Sequence, residues 1–253
     1  MEKLFIKNRK EQKISVIVER AEKQAGLAFV MHGMGVYKEQ PQLEKIANAF
    51  KENKYTVVRF DATNAMGESD GNIEDATITN YYEDLEDVIK WSGIQDWYQE
   101  PFVLCGHSAG GMCVSLYAEK YPSKVKALAP ISTVVSNTLI FYTKEEIEDW
   151  KKTGYRIWTS VSMPGVIKKL KYAYYEDKLK HDLLGEANNL LMPVLMIVGD
   201  NDKVTPLKHQ QVLFDRLPGK KELHVIKNAK HNFDKEEHLK EIKTIFMNWI
   251  DKI

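Results

Sequence analysis

The chain has little cysteine: two in 253 residues, Cys105 and Cys113. Both sit in apolar segments, which predicts buried free thiols and leaves no disulfide framework to hold a small fold together. The seven histidines are scattered, with neither HExxH nor CxxC spacing, so no metal site is expected. An excess of one charge is also missing. The 36 basic and 36 acidic residues cancel, which removes the electrostatic footprint of a nucleic-acid or anionic-membrane binder. The longest apolar run, Leu190 to Val198, contains Pro193 and is too short to span a bilayer. The opening MEKLFIKNRK lacks the apolar centre of a secretory signal. No internal repeat or low-complexity segment is visible. The expectation is a cytoplasmic protein, monomer or homodimer, that needs no cofactor and meets a small-molecule substrate rather than nucleic acid or membrane.

What is present is alternation. Lys3–Ile6 and Ile14–Val18 read as a hairpin around the polar turn Asn8–Gln12. Apolar runs then follow at Leu27–Met31, Thr56–Phe60, Phe102–Cys105, Val125–Pro130, Val194–Val198 and Leu223–Ile226. Between them lie helical periodicities: Leu43, Ile46, Ala47 and Phe50; Ile78, Tyr82, Leu85 and Ile89; the segment after Ser108; the region near Leu207–Leu217; and Leu239, Ile242, Phe246, Trp249 and Ile253. Such alternation predicts an α/β fold, an eight-stranded and mostly parallel sheet with helices on both faces.

Residues 133–190 break the pattern. Thr143-Lys-Glu-Glu146 has the form of a capping box, with Ile147 and Trp150 on one face after it. Ser162-Met-Pro-Gly opens a second stretch in which Val166, Leu170 and Tyr174 share a face. Phe141, Tyr142, Trp150, Tyr155, Trp158, Tyr172, Tyr174 and Tyr175 collect here. An insertion of this length predicts a helical lid, 133–190, between core segments 1–132 and 191–253. Tyr142, Trp150 and Trp158 are the candidate substrate contacts; the plainer alternative is that the aromatics only pack a small subdomain.

The chemistry concentrates in Gly106-His107-Ser108-Ala109-Gly110, which follows a buried strand and opens a helix, as a nucleophile elbow requires. A serine hydroxyl needs a base to take its proton and a third group to orient the base. In this chain order the acid should follow the strand after the insertion, where Asp200 and Asp202 compete. Asp202 is favoured, because the loop must pass Gly199 before turning back, and Asp200 suits the turn itself. The base should follow the last strand, where His231 stands; His224 lies within that strand and His238 in the final helix. His107 reads as a packed neighbour. Two backbone N–H donors are expected to form an oxyanion hole, those of Ala109 and of Met34 in His32-Gly33-Met34-Gly35. That glycine-rich loop lacks the GK[ST] and third glycine of phosphate-binding fingerprints.

The blocks HGMGVYKEQ, VVRFDATNAMGESDG, GHSAGG, GDNDKVTP and NAKHNF stand in the order and spacing of the α/β-hydrolases, and the chain resembles that superfamily everywhere except the insertion. HGMGVYKEQPQLEKIANAF is similar to the oxyanion loop and first helix of cinnamoyl and feruloyl esterases and monoacylglycerol-lipase-like carboxylesterases. The resemblance implies Ser108, Asp202 and His231 as catalytic triad, Met34 and Ala109 as oxyanion donors, and a lid at 133–190. It implies a serine carboxylesterase acting through an acyl-enzyme on aromatic or short-to-medium acyl esters. An acyl thioesterase would use the same triad, with Lys168, Lys169 and Lys171 as a basic entrance for coenzyme A, and a monoacylglycerol lipase shares the scaffold. A peptidase needs an acidic grip on an α-amino group, for which no motif is seen. From another class, a ligand-binding receptor can retain a triad. Asn64–Gly71 departs from the relatives' G-H-G-x-S loop, which leaves the triad intact and bears on one pocket wall.

Overall fold

The structure, a computed structural model, describes residues 1–253 except 137, 138, 140, 141, 161, 162 and 164. The chain opens with β1 (Glu2–Lys7) and β2 (Lys13–Glu19), an antiparallel hairpin. The Asn8 side chain makes the turn by accepting hydrogen bonds from Lys10 and Gln12 N–H at 2.9 and 3.0 Å. Then come β3 (Gly26–Met31), α1 (Pro41–Glu52), β4 (Tyr55–Phe60), α2 (Ile78–Ser92), β5 (Phe102–His107), α3 (Ala109–Lys120) and β6 (Val125–Ile131). After the insertion follow β9 (Val194–Gly199), α6 (Leu207–Arg216), β10 (Lys221–Ile226) and α7 (Glu236–Ile250); β7, β8, α4 and α5 belong to the insertion and are given below.

The eight-stranded sheet runs β1-β2-β4-β3-β5-β6-β9-β10, parallel from β4 onward, with β2 antiparallel both to β1 in the hairpin and to β4. Burial on both faces explains the continuous apolar runs. In β3, Leu27, Phe29 and Met31 join a core with Phe102, Tyr81 and Leu85. Ala28 and Val30 of the same strand turn to the other face, against Phe50 of α1 and Phe246 and Trp249 of α7. Each fully buried apolar side chain contributes about 1.5–3 kcal/mol. On α2 it is Tyr81 rather than Tyr82 that is fully buried, beside Ile78, Leu85 and Ile89. Strand order reverses around β3, so the carboxyl ends of β3 and β5 open the crevice where parallel α/β sheets build their sites.

The insertion is not wholly helical. It contains α4 (Lys144–Thr153), β7 (Tyr155–Thr159), β8 (Ile167–Lys171) and α5 (Ala173–Lys178), with β7 and β8 paired antiparallel as a separate two-stranded sheet. The physical reason is that four is also an even number. Val166, Leu170 and Tyr174 share a helix face at four-residue spacing, but that spacing satisfies the two-residue period of a strand equally. In β8 the strand period wins: Lys168 and Leu170 are buried, whereas Ile167 is exposed and Lys169 and Lys171 are half-buried. The capping box at the start of α4 is present, with Thr143 N–H donating to Glu146 Oε2 at 2.7 Å and Glu146 N–H donating to Thr143 Oγ1 at 3.1 Å. Phe141, Ser162 and Pro164 lie outside the described residues.

One core group is electrostatically awkward. Glu119 of α3 is buried, and its Oε1 has no hydrogen-bond partner among the described residues. Burial first, then the carboxylates of Glu186 and Asp182, push its pKa up from 4.5 to about 8. The folded state therefore holds this proton more tightly than the unfolded chain. Its stabilising contribution is complete below about pH 4.5 and is lost as the pH rises through about 8. Glu119→Gln is expected to raise the thermal midpoint at pH 9, by about 2–4 °C for each kcal/mol recovered, and to leave it nearly unchanged at pH 5. Equal shifts at the two pH values in a melting experiment would contradict this.

Candidate active site

No loop separates β5 from α3. Ser108 is the only residue between them, and it sits at φ 56°, ψ −117°, a left-handed backbone conformation that costs a non-glycine residue about 1–3 kcal/mol. Close packing enforces it. A Cβ on Gly106 would lie 2.3 Å from the Gly110 carbonyl oxygen, and one on Gly110 would lie 2.3 Å from that of His32. The two glycines let the helix start directly against the ends of β5 and β3 and leave the Ser108 side chain at the apex.

Ser108 Oγ is 3.0 Å from His231 Nε2, and His231 Nδ1 is 2.8 Å from Asp202 Oδ2. Three residues from three strand ends thus meet in one hydrogen-bonded array. With Nδ1–H donating to the carboxylate, Nε2 is left to accept from the serine hydroxyl. Asp202 is buried, and burial opposes its charge. Hydrogen bonding from His231, the attraction of its ring and the N–H groups of Thr205 and Val204 outweigh that, holding the carboxyl well below the usual carboxylate range. Its Oδ1 accepts from Val204 and Thr205 N–H at 2.8 and 2.9 Å. Oδ2 accepts from Thr205 Oγ1 at 3.0 Å as well as from His231. Asp200, by comparison, is exposed at the turn.

His107 faces the other way along the elbow and holds His231 from behind. Its Nε2–H donates to the His231 carbonyl at 2.8 Å, and the two rings lie 4.8 Å apart. Burial, then the neighbouring His231, lowers its pKa to about 3, so it stays neutral. His224 lies in β10 and His238 in α7, away from this array.

On the opposite side stands the loop after β3. A Cβ on Gly33 would touch Ser108 Cβ at 3.0 Å, so loop and elbow are in contact. His32 accepts from Ala62 N–H through Nε2 at 2.9 Å, which places its proton on Nδ1, donating to the Gly33 carbonyl at 2.7 Å. Burial lowers its pKa and keeps the ring neutral. That carbonyl belongs to the peptide whose N–H is Met34's, so His32 fixes the plane from which the Met34 N–H projects. Neither the Met34 nor the Ala109 N–H has a hydrogen-bond partner among the described residues.

Sequence reasoning missed Thr205, His32 and Gln210. Gln210 donates to the Thr133 and Thr205 carbonyls at 2.9 and 3.2 Å and so ties the loop that carries Asp202 to the end of β6. The only signal for Thr205 was its place three residues after Asp202, which reads equally well as an ordinary turn.

A cavity of about 380 Å³ opens over this array, lined by Gly33, Met34, His107, Ser108, Ala109 and His231 from the core. From the insertion come Tyr142, Arg156, Trp158, Ser160, Lys168, Leu170 and Tyr174. Of the three aromatics expected to meet substrate, Tyr142 and Trp158 line it. Trp150 does not: it is buried, donates its Nε1–H to the Leu170 carbonyl at 3.0 Å and packs among Tyr142, Tyr172, Tyr174 and Tyr175. A large indole with one polar atom buries well where that atom finds a carbonyl. No residue of Asn64–Gly71 lines the cavity either. The loop instead wraps Asp61, with Glu68 N–H donating to Asp61 Oδ2 at 2.9 Å and Lys38 Nζ bridging Asp61 and Glu68 at 2.6 and 2.7 Å. Among the described residues no cluster has the ligands to hold a metal ion, and no helix is long and apolar enough to cross a membrane.

A parallel sheet covered on both faces, with a serine elbow after β5 and a histidine and an acid after later strands, is the architecture of an α/β-hydrolase. Residues 22–169, more than half of the chain, match the family described as "Serine aminopeptidase, S33", and the chain belongs to that family. The mitochondrial palmitoyl-protein thioesterase ABHD10 of Bos taurus is 28% identical over 207 residues, covering 79% of this chain and 64% of that protein. The Homo sapiens counterpart is 24% identical over 201 residues, 77% of this chain and 62% of that one. The chain therefore spans a little under two thirds of these relatives' length. Among solved structures, Est1E from Butyrivibrio proteoclasticus with bound ferulic acid superposes with a TM-score of 0.83 at 19% identity, covering 98% of both chains. Mouse ABHD10 superposes at 0.80 with 21% identity, over 100% of this chain and 99% of that one.

Proposed function

We propose that the protein hydrolyses carboxylic esters through an acyl-enzyme, with Ser108 as nucleophile, His231 as general base and Asp202 as the group that orients it. The observation that carries this reading is the continuous array from Ser108 Oγ to His231 Nε2 and from His231 Nδ1 to Asp202, at 3.0 and 2.8 Å, at the wall of a cavity. As Oγ attacks the ester carbonyl, its proton passes to Nε2 and the carbonyl π electrons move onto oxygen. The N–H groups of Met34 and Ala109 receive that oxyanion, helped by the positive end of α3. The tetrahedral intermediate collapses, the C–O bond to the alcohol breaks, and His231 returns its proton to the leaving oxygen. Water, deprotonated by the same histidine, then releases the acid and restores the serine.

The cavity volume falls within the usual range for small-molecule sites, about 300–1,000 Å³, and Tyr142, Trp158 and Tyr174 give it an aromatic wall. This supports aromatic or short-to-medium acyl esters and a covering role for residues 133–190. A second reading, thioester hydrolysis, is favoured by the likeness to palmitoyl-protein thioesterases. Amine-end peptide cleavage is disfavoured: among the described residues no carboxylate lines the cavity to hold an α-ammonium group.

The deciding measurement sets methyl ferulate, 4-nitrophenyl butyrate, S-butyryl and S-palmitoyl thioesters side by side. The oxygen esters, methyl ferulate foremost, are expected to show kcat/KM about tenfold or more above the thioesters, a difference of about 1.4 kcal/mol in barrier. The reverse order would replace the esterase by a thioesterase, and methyl ferulate no better than 4-nitrophenyl butyrate would remove the aromatic preference.

A further inference from the structure

The cavity carries charge of one sign. Arg156, Lys168 and Lys203 line it, and no aspartate or glutamate does among the described residues, although the chain as a whole has no net charge. The three lysines of the IKKLK strand divide accordingly. Lys169 and Lys171 turn outward, Lys169 toward Glu74 at 3.8 Å and over the Tyr155 ring at 3.5 Å, Lys171 onto Asp75. They are neutralised where they stand. Lys168 turns inward with Leu170, is 3% exposed, and its ammonium makes no hydrogen bond or ion pair among the described residues. Its stem packs on the loop that presents Met34: a Cβ on Gly35 would lie 3.5 Å from Lys168 Cδ. Arg156, on the partner strand, has no carboxylate partner among the described residues either. Its guanidinium lies over the Tyr142 and Trp158 rings at 4.6 and 5.5 Å, with a long contact of 3.5 Å to Tyr142 Oη.

Removing a cation from water without a counter-ion is costly. Here burial lowers the Lys168 pKa to about 8, which still leaves an ammonium at pH 7. Such a group is maintained at a cost in stability that an arriving anion would offset.

We propose that Lys168 and Arg156 form an anion subsite, and that the substrates of this site are esters carrying a carboxylate close to the scissile bond. The inference rests on the hydrolase reading above and narrows its substrate class. Nearness to the oxyanion loop sets the distance: an anion reaching Lys168 belongs to the compact body of the substrate, not to the remote phosphates of a coenzyme A thioester. The carboxylate can come from the acyl part or from the leaving alcohol, and two matched pairs separate these. The mono-4-nitrophenyl ester of glutaric acid is compared with 4-nitrophenyl butyrate, and 4-acetoxybenzoate with its methyl ester.

In at least one pair the carboxylate member is expected to show kcat/KM about tenfold or more above its neutral partner, as a charge-assisted hydrogen bond provides. Lys168→Met, close in length and shape, should collapse that ratio to about one, with the change carried by KM. Lys169→Ala, on the outer face of the same strand, should leave the ratio where it was. Neutral esters turned over with no carboxylate preference in either pair, or a preference that Lys168→Met does not alter, overturns the subsite alone. Turnover of neither member of either pair overturns the hydrolase reading and the subsite with it.

Discussion

Ser108→Ala is expected to lower kcat for 4-nitrophenyl butyrate by about 10⁴-fold or more, the scale on which serine hydrolases lose activity with their nucleophile. The backbone does not confuse the result, because alanine inherits the strain rather than relieving it. The Ser108 N–H donates to the Ile131 carbonyl at 2.9 Å, and its own carbonyl accepts from Met112 and Val134 N–H at 3.2 Å each. These main-chain bonds do not involve the hydroxyl, so the elbow keeps its shape and the thermal midpoint should move by only a few degrees. The hydroxyl's one hydrogen-bond partner among the described residues is His231 Nε2. Intact-protein mass spectrometry after a brief exposure to a slow ester should show an acyl adduct on the parent chain and none on the variant. Activity within about tenfold of the parent, in a variant that melts normally, would remove Ser108 from the chemistry.

Much of this site is legible in the chain because two requirements coincide. The run Phe102–His107 must be apolar to lie buried in a parallel sheet, and the residues flanking Ser108 must be small to let α3 start at once. Either pattern alone is common; an apolar strand, one serine and a glycine-rich helix start in immediate succession are not. Asp202 and His231 follow from strand order, since polar residues just beyond Gly199 and Ile226 emerge at the same end of the sheet as Ser108. What is not legible is contact that depends on the third dimension. Nothing near Lys168 in the chain tells it from Lys169 and Lys171. The strand twists one inward and leaves two out, and the carboxylates that neutralise the outer pair come from residues 74 and 75. Trp150 is misleading for a related reason, because a tryptophan in an insertion over a site reads as a substrate contact until its N–H is seen to be bonded to Leu170. The insertion itself is ambiguous because four-residue apolar spacing suits a helix and a strand alike.

The second large effect is expected from Asp202→Asn: a fall in kcat of about 10⁴-fold at neutral pH with little change in KM, as found for the corresponding change in a serine protease triad. The surroundings of the carboxylate decide which way the new amide points. Oδ1 accepts two backbone N–H groups, from Val204 and Thr205, and an amide nitrogen in that position would face two donors. The asparagine oxygen must therefore stay there, which sets its NH₂ in the place of Oδ2, against His231 Nδ1. A donor facing Nδ1 forces the imidazole to accept there and to carry its proton on Nε2, turned toward Ser108 Oγ. The histidine would then sit at its usual distance from the serine in the one tautomer that cannot take the serine's proton. Thr205 does not rescue it: Asp202 Oδ2 at 3.0 Å and the Ser132 carbonyl at 2.8 Å share its one hydroxyl proton in the parent, and with an NH₂ in the place of Oδ2 that proton goes to Ser132, which leaves only lone pairs to offer the amide. Imidazole ¹⁵N chemical shifts would show the exchange of tautomers directly, with Nδ1 protonated in the parent and Nε2 in the variant. Full activity in Asp202→Asn, or an unchanged ¹⁵N pattern alongside lost activity, would mean that Asp202 does not orient the base.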